Sequence, residues 1–193
     1  MTELQRIAVK ILTDAPPSLN LDPFLAIFGR WRTATAHPAD WVDLADYAHM
    51  PRGPGIVLVG KRCNFSFDLG GAAPGLLYAS KMGLEGAPEA RLLSVFRACL
   101  EMSRSLLAEA EFPASVRLQT GSLELIFNDR LETANTEATD QQLKPAVVAA
   151  LDRLLGPGAY QLTPQADPDR RYGFFIRAAR PLNLDEMLSR FQD

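Results

Sequence analysis

Glycine residues are concentrated in one region of this chain. Eight of the 13 glycines lie between Asp40 and Gly86, where they are interleaved with short runs of strand-forming residues. Glycine is favoured where the backbone takes a positive φ, or where another group approaches the main chain closely. The region therefore predicts short strands joined by tight turns, and we expect it to form a binding edge, a set of tight turns, or both.

The overall composition is typical of a globular protein. Of the 193 residues, 47% are hydrophobic, and the formal net charge is -3. A chain of this length can bury a continuous core. We expect one domain over residues 1–193, with a possible subdivision near residue 113 into a glycine-rich hairpin half (1–113) and a hairpin-helix-hairpin-helix half (114–193).

The charge balance does not favour nucleic-acid binding. A surface that neutralises phosphates needs an excess of positive charge, and the chain has 20 Lys and Arg against 23 Asp and Glu. The basic groups available for such a role are Arg52, Lys61, Arg62 and those of residues 169–171. We do not expect a nucleic-acid partner.

Cofactor, metal and membrane signals are also weak. Cys63 and Cys99 lack the CxxC spacing of a zinc site, and the chain has two histidines. Residues 1–10 carry Glu3 and Arg6 and lack the apolar segment of a secretory signal, and the apolar runs elsewhere are too short to span a membrane. We expect a cytoplasmic protein with reduced cysteines, no cofactor, no metal and no membrane partner.

Strands and helices are predicted from periodicity and from turn residues. Strands are predicted at residues 7–11, 41–47, 56–59, 64–69, 76–81, 116–119, 123–128, 160–162 and 172–176. Helices are predicted to begin near Asp22, Pro88, Thr136 and Asn183. Because the strands come in hairpins, we predict an α+β fold: an antiparallel or mixed sheet built from hairpins, with about four helices packed on it.

Several local predictions are specific enough to test. The run 56–59 is continuously apolar, which predicts the innermost strand, and residues 120–122 are predicted to turn a compact hairpin. Residues 40–47 are ambiguous between strand and helix, and alternation from Trp41 to Tyr47 favours the strand. Thr139 and Gln142 have capping-box spacing, and Pro145 predicts either a kink or a helix that begins near Lys144.

One candidate polar surface lies on the 64–69 hairpin. Asn64, Ser66 and Asp68 project from one face of their strand. A register that pairs Leu69 with Leu76 would place Lys81 opposite Asn64 on that face. These groups would orient a polar ligand, although the solvated side of a half-buried hairpin has the same pattern.

A second candidate is the ladder of acidic residues before the first glycine turn. Asp40, Asp43, Asp46 and His49 recur every three residues, so on a helix they would share one side and bind a divalent cation. On the favoured strand, Asp43 and Asp46 point to opposite faces, and no metal site forms. The candidate ligand-binding residues are Asp43, Asp46, His49, Arg52, Asp68 and Lys81.

Residues 43–47, 49–51, 53–60, 75–78 and 84–86 carry a resemblance to known sequences. In these stretches the chain resembles a group of uncharacterised bacterial proteins of similar length. The resemblance implies a bacterial origin and lends no activity, cofactor or functional residue.

Two functions are consistent with the sequence. The first is a non-catalytic subunit that associates with itself or with a protein partner through the glycine-rich hairpins. The alternative is a small enzyme or ligand sensor with a polar site in the region 40–86. Catalytic residues are not identified, because neither Ser66 nor Ser80 lies in a GxSxG elbow and neither cysteine has a base nearby in sequence.

Overall fold

The described part of the chain forms one antiparallel sheet with four helices, which confirms the predicted α+β class. The structure is a computed structural model that describes residues 4–34, 40–50, 52–167 and 169–191. The strands are β1 (Ile7–Asp14), β2 (Trp41–Tyr47), β3 (Gly55–Gly60), β4 (Cys63–Asp68), β5 (Gly75–Ser80), β6 (Arg117–Phe127), β7 (Tyr160–Pro164) and β8 (Gly173–Ala178). The helices are α1 (Asp22–Thr33), α2 (Pro88–Leu107), α3 (Glu137–Leu155) and α4 (Leu184–Ser189).

The strand order places the start of the chain at the centre of the sheet. The order is β2-β3-β4-β5-β1-β6-β8-β7, so β1 pairs with β5 on one side and with β6 on the other. The prediction that residues 56–59 form the innermost strand is wrong, because β3 is second from the edge. Ile56 and Leu58 are fully buried in the core with α1, and Val57 is nearly buried on the opposite side. Burial on both sides therefore does not require a central position.

All four helices cover the same face of the sheet. Ile7, Val9 and Ile11 of β1 belong to the core with α2, α3 and α4. Ile11 pairs with Leu76, which belongs to the core with α1 and therefore lies on the same face. Within that second cluster, the rings of Phe24 and Phe67 stack with centroids 4.2 Å apart.

The opposite face, which we call the open face, has no helix on it in the described part of the chain. Because side chains alternate along a strand, the neighbours of the core residues point to it. These neighbours include Lys10, Ser66, Leu77, Glu124 and Phe175, which lie in register across five adjoining strands. The candidate site described below is on this face.

The predicted hairpin around residues 120–122 is wrong. Residues Arg117–Phe127 form the single strand β6, and both of its end segments pair with β1. Ile11 pairs with Leu123 and Thr13 pairs with Leu118, so the register shifts between them and residues 120–122 are accommodated as a bulge. The eight-residue β1 strand thus provides a partner for both segments, and no turn is needed.

Helix boundaries confirm some of the predicted caps and correct others. The Asn183 and Glu186 capping box of α4 is present, and β2 confirms the strand predicted for Trp41–Tyr47. The predicted box at Thr139 and Gln142 is wrong, because Thr136 is the N-cap of α3 and accepts a hydrogen bond from the Thr139 amide. Pro145 lies inside α3, which begins at Glu137 and not near Lys144. Among the described helices, none is long and apolar enough to cross a membrane.

Candidate functional site

The β4–β5 hairpin has a register different from the predicted one. Asp68 pairs with Gly75, and Asn64 pairs with Ala79 instead of Lys81. The loop between the strands is residues 69–74, because Leu69 leaves the sheet and its amide donates to the Gly53 carbonyl, 3.2 Å away. Lys81 lies beyond the strand, where its Nζ donates to the Gly60 carbonyl at 2.7 Å. The predicted grouping of Lys81 with Asn64 across the hairpin is therefore not formed.

The remaining predicted residues are dispersed. Asp43 and Asp46 lie on the edge strand β2, where their carboxylates accept hydrogen bonds from the nearby Leu44 and Ala48 amides, each at 2.8 Å. His49 is exposed in the following turn, and Arg52 is exposed with a φ of 56°. Of the predicted residues, Asp68 is the one that lies at the site described next. In residues 4–34, 40–50, 52–167 and 169–191, no group of His, Cys, Asp or Glu is arranged to hold a metal ion.

The centre of the open face carries a buried lysine. Lys10 is only 1% exposed, although it points away from the helices. Its Nζ donates to Asp68 Oδ2 and to the Gly70 carbonyl oxygen, each at 2.6 Å. Asp68 is the last residue of β4, one strand beyond the β5 strand that neighbours Lys10, and Gly70 is in the loop that follows it. The lysine therefore joins the central strand to the start of the 69–74 loop.

Gly75 provides the space for this lysine. A Cβ atom at Gly75 would lie 2.8 Å from Lys10 Cε and 3.0 Å from Lys10 Cγ. These distances are shorter than ordinary carbon–carbon contacts, so a side chain at this position would displace the lysine stem. The glycine thus lets the stem cross β5 and reach Asp68.

Glu124 is a second buried charged residue on this face. It pairs with Lys10 across β1 and β6 and is only 6% exposed. The Ala72 amide donates to its carboxylate, and Gly71 lies against it, since a Cβ there would be 3.2 Å from Glu124 Oε2. Within the described residues Oε1 has no hydrogen-bond partner. Burial raises the pKa of the Glu124 carboxyl, although Lys10 and the Ala72 amide act in the opposite direction.

A cavity of about 800 Å³ lies on the open face beside these groups. Its floor is formed by Leu77, Ile126 and Phe175, which are half-buried apolar side chains. One side, which we call the acidic wall, consists of Asp68, Glu124 and the backbone of residues 70–72. Phe174 is part of the core, whereas Phe175, the next residue of β8, points to the open face and its side chain lines the cavity.

The other side of the cavity, which we call the arginine wall, comes from residues after β6 and from the β7–β8 loop. It consists of Arg130, Arg170, Arg171, Asp167 and Asp169. Arg130 donates to the Asp169 carbonyl at 3.1 Å, and Arg170 lies 3.6 Å from the Asp167 carboxylate. Asn135 holds the loop in place by donating from Nδ2 to the carbonyls of residues 165 and 167. Three arginines face two aspartates, so this wall carries an excess of positive charge.

The lining of the cavity combines charged, polar and apolar groups. The described lining residues include carboxyl, guanidinium, amide and apolar groups, and none of them is a serine, threonine, cysteine, lysine or histidine. Both cysteines lie in buried positions outside the cavity. Burial raises the pKa of Cys99 to about 12 and also raises the pKa of Cys63, so the thiols remain protonated.

Sequence reasoning identifies one of the three charged groups at this site, Asp68. It does not identify Lys10 or Glu124, because each looks like an ordinary polar residue of an alternating strand. One signal was present for Lys10, which is the single charged residue between Ile7 and Leu12. A second was present for Glu124, which is the single charged residue between Leu123 and Phe127.

The two walls and the apolar floor between them are the features from which a function can be inferred. The charges belong to four separate segments of the chain, and the cavity exists only when the sheet is assembled. No protein-family model matches this chain, and no curated protein is similar to it in sequence.

Proposed function

We propose that this protein binds a small organic ligand in the cavity on the open face. The observation that carries the proposal is the Glu124 carboxyl group, which is buried in the cavity wall with an oxygen that has no partner among the described residues. Ligand sites are concave and mostly apolar, with a few polar groups that fix the orientation of the ligand. A volume of about 800 Å³ is in the range of such sites.

The energetics of burial support a role in binding. A buried carboxyl group without a full set of hydrogen bonds destabilises the folded protein. Apolar residues in place of a buried charge network are often neutral or stabilising, so folding alone does not require Lys10 and Glu124. Local departures from the rules of stable folds are concentrated at functional sites. The network therefore fits a site that completes its hydrogen bonds with a ligand.

Binding of a neutral aromatic probe tests the cavity independently of its charges. We expect indole to bind with a dissociation constant of about 1 mM, equivalent to about -4 kcal/mol. The shifts in an amide ¹H–¹⁵N NMR titration should be concentrated at residues 70–72, 124–126 and 173–175. In Phe175→Ala we expect affinity at least about fivefold weaker, since the variant removes an apolar part of the floor.

Val59→Ala is the matched control for this titration. Val59 is half-buried on the same open face, in β3, and does not line the cavity. Its replacement should leave indole binding unchanged. Shifts spread evenly over the protein, or equal affinities in the two variants, would contradict a site at the cavity.

Self-association is a second candidate function, supported by the edge strand β2. This strand ends the sheet and exposes Val42 by 50% and Tyr47 by 38%, and Met50 in the next turn is 43% exposed. An edge strand offers unpaired backbone groups to another chain, and exposed apolar side chains add to that contact. Pairing of β2 with β2 of a second copy would continue the sheet across a dimer.

The test of self-association is the mass in solution. At micromolar concentration we expect about twice 21.2 kDa by light scattering. Val42→Lys should shift the mass to that of one chain, because a lysine on an edge strand opposes strand pairing. Leu131→Lys is the control, since Leu131 is 96% exposed and lies outside β2. A wild-type protein that is strictly monomeric at this concentration would exclude the candidate.

A further inference from the structure

The acidic wall of the cavity has more carboxyl groups than it has cations. Asp68 and Glu124 face one cation, Lys10, which is 1% exposed and does not line the cavity. Lys10 is engaged by Asp68 and by the Gly70 carbonyl, so the Glu124 carboxyl keeps an oxygen without a described partner. A ligand group that donates hydrogen bonds and carries positive charge satisfies this oxygen best.

The arginine wall has the opposite character. Arg130 is bonded to a backbone carbonyl, which leaves its charge without a compensating carboxylate in that contact. Arg171 also lines the cavity and is exposed. Three arginines and two aspartates line this wall, so one positive charge has no carboxylate to balance it. Guanidinium groups bind carboxylates through two parallel hydrogen bonds in a planar, bidentate arrangement.

The two walls are separated by an apolar floor. Phe175 pairs with Glu124 across β6 and β8, and the next open-face positions, Ile126 and Gly173, also pair with each other. From Glu124 the floor therefore continues through Phe175 and Ile126 toward the end of β6 and the start of β8, where Arg130 and Arg171 line the cavity. A ligand that spans the cavity must place an apolar body on these side chains.

We propose that the ligand is a zwitterion with separated charges, whose ammonium group binds at the acidic wall and whose carboxylate binds at the arginine wall. Short peptides with free termini and an apolar side chain have this chemistry, because their ammonium and carboxylate groups lie at opposite ends of the molecule. The inference rests on the proposed function and adds to it the polarity of the ligand.

The 69–74 loop must adjust when the ammonium group binds. Glu124 Oε1 is sheltered from solvent, and Gly71, with a φ of 73°, lies directly against the carboxylate. Displacement of the Gly71 backbone opens the acidic wall to the ligand. The amide signals of residues 70–72 should therefore move more with a free ammonium group than with an acetylated one.

The test compares peptides that differ only in their terminal charges. The probe is Ala-Phe, measured by NMR titration and calorimetry against N-acetyl-Ala-Phe, Ala-Phe-amide and the doubly capped N-acetyl-Ala-Phe-amide. We expect each single cap to weaken binding about tenfold, because each removes one charge-assisted contact. Phenylalanine and Ala-Ala-Phe are measured in the same way. Phenylalanine carries both charges on one carbon and should bind more weakly than Ala-Phe, and tighter binding of phenylalanine would overturn the separation of the two charges.

Two variants assign the walls. In Glu124→Gln, N-acetylation should no longer weaken binding, whereas amidation should still do so. In Arg171→Gln, amidation should no longer weaken binding, whereas N-acetylation should still do so. Arg177→Gln is the matched control, because Arg177 is an exposed arginine of β8 on the same face that does not line the cavity. A cooperative thermal unfolding transition shows that each variant is folded. The comparison of free and capped peptides on the wild-type protein does not depend on any variant.

The outcomes separate this inference from the proposed function. Equal binding of the capped and free peptides overturns the inference, and so does binding of indole without binding of any peptide. In both cases a cavity that binds small molecules remains. If neither indole nor any peptide binds, the proposed function and the inference both fail.

Discussion

Lys10→Ala should lower the free energy of unfolding by about 3–5 kcal/mol. The lysine is 1% exposed and its partner Asp68 is 14% exposed, so their contact is largely shielded from water. Removal of the ammonium group leaves the carboxyl groups of Asp68 and Glu124 close together with no cation between them. Urea unfolding followed by circular dichroism measures the change.

A second substitution distinguishes the electrostatic cost from lost packing. In the Lys10→Ala background, Asp68→Asn removes one of the two uncompensated carboxylates, and we expect it to recover at least about 1 kcal/mol. Lys81→Ala is the comparison, because the Lys81 Nζ also donates to a backbone carbonyl but forms no ion pair with a described residue. Its loss should be about 1 kcal/mol. Similar losses of stability at both lysines would show that the ion pair of Lys10 with Asp68 adds nothing beyond a hydrogen bond to a backbone carbonyl.

The elements that sequence reasoning identified correctly depend on neighbours within a few residues. Alternation predicts β2, and the capping box at Asn183 predicts the start of α4, because both patterns are local. The hairpin predicted at residues 120–122 was wrong because strand pairing depends on residues that are far away in sequence. Gly121 in a polar triplet has the composition of a turn, but the segments on both sides of it pair with the distant strand β1 and so remain one strand.

The site was less predictable than the fold, because its groups are far apart in sequence. Lys10 and Asp68 are separated by 58 residues, and Lys10 and Glu124 meet only through the pairing of β1 with β6. The burial of a charged side chain depends on what covers it, and here the cover is the 69–74 loop. A two-residue difference in the β4–β5 register was enough to replace the predicted partner of Asn64. Periodicity alone does not determine that register.

Gly75→Ala is the other substitution with a large expected effect, a loss of about 3 kcal/mol in the free energy of unfolding. The new Cβ would collide with the Ile11 carbonyl oxygen on the paired strand β1 and would lie 2.8 Å from Lys10 Cε. Neither contact is relieved cheaply, because Ile11 is part of the buried central strand and the lysine is held by two hydrogen bonds. Urea unfolding measures the loss.

Gly121→Ala separates this effect from a general cost of replacing a strand glycine. The nearest atom to a Cβ at Gly121 is the Pro181 Cα, at 3.6 Å, which is an ordinary contact. We expect this variant to change stability by less than about 0.5 kcal/mol. If Gly75→Ala is no more harmful than Gly121→Ala, then Lys10 does not need the open path across β5. In that case Gly75 is not essential for the acidic wall. The contacts that hold Lys10 beside Asp68 would then come from the 69–74 loop alone.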